Sequence, residues 1–253
     1  MMTNVRLLSI DIENSPHKVW TYKLWGPNMY VAPDMVIEQS KIMCFAATWI
    51  GEDSEPMFYS TFHNGQQGMM QAFWNLMNEA DALVYFNGDR FDRPKIQKEL
   101  LVAGFDPPSP SKGIDLYTIV KRHFDFPYKR LDQVAKALGL TGKIGSHAAN
   151  WKLCLEDDPA AWARMKTYNI QDVVLNEQVF HIIKPWIGGS IIPSDALDQG
   201  KNATCRCGST NLTKEGFRQT LTGKFQRYRC RTCGTWLTTG KSVSRTDLRP
   251  ESR

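Results

Sequence analysis

The chain has 253 residues, of which 42% are hydrophobic and 23% charged, enough for one good core and a small second module in a soluble, globular protein. Its longest apolar runs, such as "ALVYF" and "IMCFAATWI", fall short of the roughly 18 residues of a membrane span, and "MMTNVRLLSID" has no signal-peptide h-region or cleavage site, so we expect a cytoplasmic protein with no membrane partner. The net charge of +5 is uneven: residues 1–200 hold 19 Lys and Arg against 23 Asp and Glu, a net of −4, and residues 201–253 hold 12 against 3, a net of +9. A basic end of this kind suits a polyanion such as nucleic acid, or is a solvated tail.

Along the chain, "NVRLLSIDI" predicts a strand running toward an acidic end. The aromatic stretch "HKVWTYKLWGPNMYVAP" has no period, and its Pro and Gly predict a long ordered loop. "KIMCFAATWI" and "PMFYSTF" predict two further strands joined by "GEDSE". Over residues 66–80, Met69, Phe73, Leu76 and Met77 share one face and predict a helix. A buried strand "ALVYF" follows, then the helix "FDRPKIQKELLVAGF", ended by Gly104 and "PPSP". "DLYTIVKRHF" and "RLDQVAKALGL" predict two short helices, and residues 158–183 are helical, read as two pieces. This order implies an α/β fold with a mixed sheet. "WIGGSIIPSDALDQGKN" reads as a linker.

Acidic residues avoid strands, yet Asp11 and Glu13 end the first one at i, i+2. That spacing sends both carboxylates to one face, about 6–7 Å apart, where a divalent cation would relieve their repulsion. Asp92 follows the strand "ALVYF" at a sharp Asn87-Gly88 transition and begins a helix, where a carboxylate is also welcome for structural reasons. Asp89 is nearer the N-cap position. In "YNIQD", Tyr168 and Asp172 are four apart and share a helix face.

Taken in order, "SIDIE", "YFNGDRFDRP" and "YNIQD" resemble the three motifs of the DEDD superfamily of 3′→5′ exonucleases, which have a ribonuclease H-like fold. The resemblance covers residues 5–182, and "RLDQVAKALGLTGK" resembles the segment between the second and third motifs. One branch places a histidine five residues before the last aspartate, where this chain has Thr167. The other places a tyrosine four before it, and with Tyr168 the chain resembles that branch, in particular bacteriophage-encoded and DNA polymerase-associated exonucleases.

The resemblance implies phosphodiester hydrolysis with two Mg²⁺ or Mn²⁺ ions held by Asp11, Glu13, Asp92 and Asp172. Tyr168 would orient the attacking water while staying protonated, since a phenol titrates near pH ~10. Asp115, in "GIDLYTIV", is expected to cap a helix rather than bind metal. Asn87 and Lys143 are candidate nucleic-acid contacts, with a solvated lysine as the alternative for Lys143. Trp20, Tyr22, Trp25 and Tyr30, after the first motif, either stack on terminal bases or pack over the sheet.

Cys44 and Cys154 lie in apolar surroundings and read as buried structural thiols. The other four cysteines crowd into "CRCGSTNLTKEGFRQTLTGKFQRYRCRTCG". This segment resembles a zinc ribbon, with Cys205, Cys207, Cys230 and Cys233 as ligands of one structural Zn²⁺, although its first knuckle is C-x-C rather than C-x-x-C. With few large apolar residues, it needs metal or another staple to fold. Arg218, Lys224, Arg227 and Arg229, interleaved with Phe217, Phe225 and Tyr228, suggest nucleic-acid binding. Docking to a replication protein is the alternative.

The expected organisation is an exonuclease domain over 1–188, a linker over 189–202, a zinc ribbon over 203–240 and a basic, flexible tail over 241–253. The expected activity is metal-dependent 3′→5′ exonuclease action on single-stranded or 3′-ended DNA, in the host cytoplasm if phage-encoded. An exoribonuclease with the same centre, and a catalytically silent adaptor binding through the ribbon, are the alternatives.

Overall fold

The fold is built outward from an alternating strand, β1 (Leu7–Asn14). Leu8, Ile10 and Ile12 enter an apolar core on one face, so Ser9, Asp11 and Glu13 take the other. The computed structural model describes residues 6–22, 30–141, 148–187, 204–205, 207–220, 223–239 and 242–245. Described residues divide into two compact units, one of Arg6–Val179 and one that takes the chain from Phe180 onward.

After β1 come β2 (Lys18–Val19) and β3 (Val36–Glu38), which pair antiparallel. The stretch expected as a loop therefore contains a short strand, paired with one just beyond its end. β4 (Ile42–Trp49) is buried throughout its length, and β5 (Met57–Ser60) leads directly into α1 (Thr61–Glu79). The helix starts earlier than residue 66 because the Ser60 hydroxyl accepts the His63 amide as an N-cap, and it is kinked at Gly65. β6 (Ala82–Tyr85), α2 (Asp92–Val102), β7 (Lys112–Asp115), α3 (Leu116–His123) and α4 (Leu131–Ala137) follow. Then come α5 (Ala148–Leu155) and α6 (Pro159–Ile183).

Residues 159–183 form one continuous helix, not two pieces. The break falls before it, where Asp158 Oδ1 accepts the Ala161 amide at 2.9 Å and Pro159 occupies a first-turn position that costs no hydrogen bond. β7 and α5 had no counterpart in the sequence reading.

Among the described residues the main sheet has the order β5-β4-β1-β6-β7. β1 runs antiparallel to β4 and parallel to β6, and β6 runs parallel to β7. One face is closed by α1 and α2 through Met69, Met70, Phe73, Met77, Ile96 and Leu100. On the other face, Met43 and Cys44 pack with Cys154 of α5 and with Ala161, Trp162 and Met165 of α6. Ser9 Oγ donates to the Val173 carbonyl at 3.0 Å, fixing α6 over β1. This mixed sheet flanked by helices is a ribonuclease H-like architecture. Among the described residues no helix is long and apolar enough to cross a membrane.

The C-terminal unit contains a separate antiparallel sheet: β8 (Leu212–Thr220), β9 (Gly223–Cys230), β10 (Trp236–Thr238) and β11 (Ser244–Arg245), with β9 paired to the other three. Ser244–Arg245 thus form a strand inside the segment expected to be a flexible tail. The expected linker, 189–202, and residues 246–253 lie outside the described residues.

A candidate acidic centre and a four-cysteine cluster

Parallel pairing between β1 and β6 covers Leu7–Ser9 only. Beyond Ser9, β1 continues with β4 on one side, and its other edge is available to the chain that leaves β6. Asp11 and Glu13 lie on this extension, and Asp172 of α6 covers it. Carboxylate oxygens of Asp11, Glu13 and Asp172 lie within 4.8 Å of one another. Asp172 is almost fully buried, while Asp11 and Glu13 are half-buried. Three carboxylates this close repel strongly in a partly dry site, and a divalent cation is the usual counter-charge. Burial, helped by the Glu13 and Asp11 charges, raises the Cys44 thiol well above its ordinary range. The centre therefore offers hard oxygen donors, the kind Mg²⁺ and Mn²⁺ prefer, and could hold a metal.

Asp92 is not in this group of three. It sits at the start of α2, buried, and its carboxylate accepts the backbone N–H of Ile12 on β1. Burial raises it to about 6, against the lowering effect of that amide and of Lys95. A nearby cation would act in the same direction as the amide.

The Asn87-Gly88 turn that leads to Asp92 is held by Asp115. Asn87 N donates to Asp115 Oδ1 at 2.8 Å and Asp89 N to Oδ2 at 3.3 Å. The same Oδ1 accepts the Tyr117 and Thr118 amides, capping α3 as expected. Asn87 has a left-handed φ of 67°, a conformation asparagine tolerates. Gly88 is required by close approach, since a Cβ there would run into the Tyr85 ring. Tyr85 in turn donates to Asp89 at 2.7 Å, so Asp89 is engaged by a phenol rather than capping α2. The Asn87 Oδ1 is buried with no hydrogen-bond partner.

Tyr168 lies one turn before Asp172 on α6, half-buried, with its ring edge-on to Trp151 at 5.7 Å. Between them is a residue the sequence reading passed over. Asn169 is fully buried, and its Nδ2 donates to Asp11 Oδ2 at 2.6 Å and to the Asp11 carbonyl at 3.3 Å. Its spacing of three residues from Asp172 was the available signal. Trp20, Tyr22 and Tyr30 are strongly exposed rather than packed over the sheet. Trp25 and Lys143 lie outside the described residues.

In the C-terminal unit the sulfurs of Cys205, Cys207, Cys230 and Cys233 all lie within 4.8 Å of one another. The pairs Cys205–Cys233 and Cys207–Cys230 are each 3.6 Å apart. Tetrahedral zinc with Zn–S bonds of about 2.3 Å separates its sulfurs by about 3.8 Å, so the cluster fits a zinc ribbon. The knuckles match in backbone pattern: Gly208 N donates to Cys205 O at 2.8 Å and Gly234 N to Cys230 O at 2.9 Å. Both glycines have positive φ, so the C-x-C knuckle is a shortened form of the C-x-x-C one. Burial opposes a thiolate at Cys230, but hydrogen bonds from the Cys233 and Thr232 amides and from the Cys207 and Cys205 side chains together lower it to about 6.

The four basic candidates on this sheet fall on two faces. Cross-strand pairing joins Arg229 to Trp236, Arg227 to Thr238 and Arg218 to Phe225, and alternation puts Arg227, Arg229 and Phe225 on one face. Lys224 belongs to the other, with its ammonium 4.0 Å from the Phe217 ring.

No curated protein sequence matches the chain. Among solved structures, the family B DNA polymerase from the hyperthermophilic archaeon Pyrobaculum calidifontis is similar, with 18% identity and a TM-score of 0.54 over 72% of this chain and 25% of that one. This likeness is one of fold, and the chain spans about a quarter of the polymerase's length. The family model described as the RNase H superfamily matches residues 36–183, which include Asp92, Tyr168 and Asp172 and exclude Asp11 and Glu13. With more than half of its length matched, the chain belongs to the RNase H superfamily, whose nucleases act on nucleic acid with divalent metals.

Proposed function

We propose that the protein is a metal-dependent 3′→5′ exonuclease of the tyrosine branch. The observation that carries this is the convergence of Asp11, Glu13 and Asp172, whose oxygens lie within 4.8 Å of one another. Asp11, Glu13 and Asp172 would hold the cations, with Asp92 completing the set from across the open edge of β1. Two bound Mg²⁺ or Mn²⁺ ions would neutralise the scissile phosphate and make water a better nucleophile.

The protein's own residues do the rest. Asn169 fixes one oxygen of Asp11 by its 2.6 Å hydrogen bond, which directs the remaining lone pairs of that carboxylate. Tyr168, on the same helix face as Asp172, positions the attacking water with its hydroxyl. Asn87, on the rigid turn above Asp92, meets the substrate strand, and Lys143 contacts a phosphate. DNA is the preferred substrate, a choice supported by the fold likeness to a DNA polymerase. The four cysteines hold one structural Zn²⁺.

The test uses matched DNA and RNA strands labelled at the 3′ or the 5′ end. The 3′ label should be released first, only with Mg²⁺ or Mn²⁺, and Asp11→Ala should lower the rate at least ~10³-fold, about 4 kcal/mol in barrier. Full activity in excess chelator, or in Asp11→Ala, would overturn the assignment. Faster loss from RNA than from DNA would move it to the exoribonuclease reading.

A further inference from the structure

We infer that one face of the ribbon sheet, carrying Arg218, Arg227, Arg229 and Trp236, is a docking platform for single-stranded nucleic acid; the inference rests on the nuclease reading above. Three observations meet on this face. Arg227 and Arg229 are exposed and alternate along β9, which places them about 6–7 Å apart on the same side. Arg218 and Trp236 join them through direct cross-strand pairing to Phe225 and Arg229. Trp236 remains 51% exposed, and the Arg229 guanidinium lies 5.7 Å from its ring.

Charge selects the occupant. Residues 201–253 carry 12 basic side chains against 3 acidic, and one of those acids, Glu215, is paired with Arg231 at 2.7 Å. Arg218, Arg227 and Arg229 make no ion pair among the described residues. Cations left for phosphates, around an indole left for a base, are the two components of a sequence-tolerant single-strand site. A protein partner would need a hydrophobic centre larger than one tryptophan. The opposite face differs: the Lys224 ammonium already stands over its Phe217 ring at 4.0 Å, whereas the Arg229 guanidinium stands off the Trp236 ring at 5.7 Å.

The experiment measures binding of a fluorescent oligothymidylate to the full chain in the Asp11→Ala background, across a salt series. Arg227→Ala/Arg229→Ala should weaken binding about tenfold at low salt and flatten the slope of log K against log salt by about 1.4, at roughly 0.7 per phosphate contact. Trp236→Ala should cost about tenfold with little change in slope. The charge-matched pair Lys214→Ala/Lys224→Ala, on the other face, should cost less than twofold. Metal content per chain checks that each variant keeps its ribbon, and Arg227→Lys/Arg229→Lys should retain most of the slope. Equal losses from both double variants would reduce the effect to bulk charge and overturn the platform. Unchanged binding in all of them would overturn it in favour of protein docking or no partner. Degradation of the probe by Asp11→Ala would instead count against the nuclease assignment, which keeps the two failures apart.

Discussion

Asn169 illustrates how a single amide can govern a carboxylate centre. It donates to both the side chain and the carbonyl of Asp11 from inside α6, so it ties the helix to the strand at the point where the acids meet. Asn169→Ala should reduce activity about 10–100-fold, the usual cost of losing a hydrogen bond behind a metal ligand. The Mg²⁺ midpoint should move to higher concentration, so that excess metal restores part of the rate. Tyr168→Phe should slow turnover without moving that midpoint; a metal titration of both variants separates positioning of a ligand from positioning of water. At this scale the sequence was informative where spacing repeats a known pattern. Tyr168 and Asp172 stand out for that reason, while Asn169, one residue inside the same motif, offers only its three-residue spacing from Asp172. Its burial and its 2.6 Å contact are what identify it.

At the scale of elements, β7 and the turn after β6 depend on one another through Asp115. That carboxylate ends β7, caps α3 and accepts the Asn87 and Asp89 amides. Asp115→Ala removes a cap and strands buried amides, so it should destabilise the fold by about 2–4 kcal/mol, measured by urea unfolding. It should also lower activity, because the turn delivers Asp92. An unchanged unfolding midpoint would show that the turn holds itself. β7 escaped notice in the sequence because "KGID" has no apolar alternation; it becomes a strand by pairing with β6, an interaction that a local window does not contain. α1 and α2 are legible because apolar periodicity and the Gly104 stop are local, whereas the Ser60 cap that starts α1 is not marked by that periodicity. α6 was misjudged as two pieces because its buried face mixes Asn169, Asp172 and Asn176 with aliphatic residues, which blurs the period.

For the whole molecule, the two units rely on different sources of stability. The unit of Arg6–Val179 has cores on both faces of its sheet; among the described residues of the ribbon only Cys205 and Cys230 are buried. Cys230→Ser should therefore abolish the order of the ribbon while the larger unit unfolds within a degree or two of the parent. Limited proteolysis checks this: cleavage should begin between 204 and 245 and leave a resistant fragment ending near 183. Loss of the large unit's melting transition in the same variant would contradict it. The cysteine spacing made this module readable without any structure, whereas the division of its arginines between two faces needed the register of β9.

β1 carries one further consequence. Its even-numbered residues build the core and its odd-numbered ones present the acids, so both depend on a single pairing register with β4. A slip of one position would drive Asp11 and Glu13 into hydrocarbon and turn Ile10 and Ile12 outward. A chain that inverts β1 thus cannot keep a sound core while losing its acidic face. Burying Leu8, Ile10 and Ile12 turns Asp11 and Glu13, by the same act, toward α6.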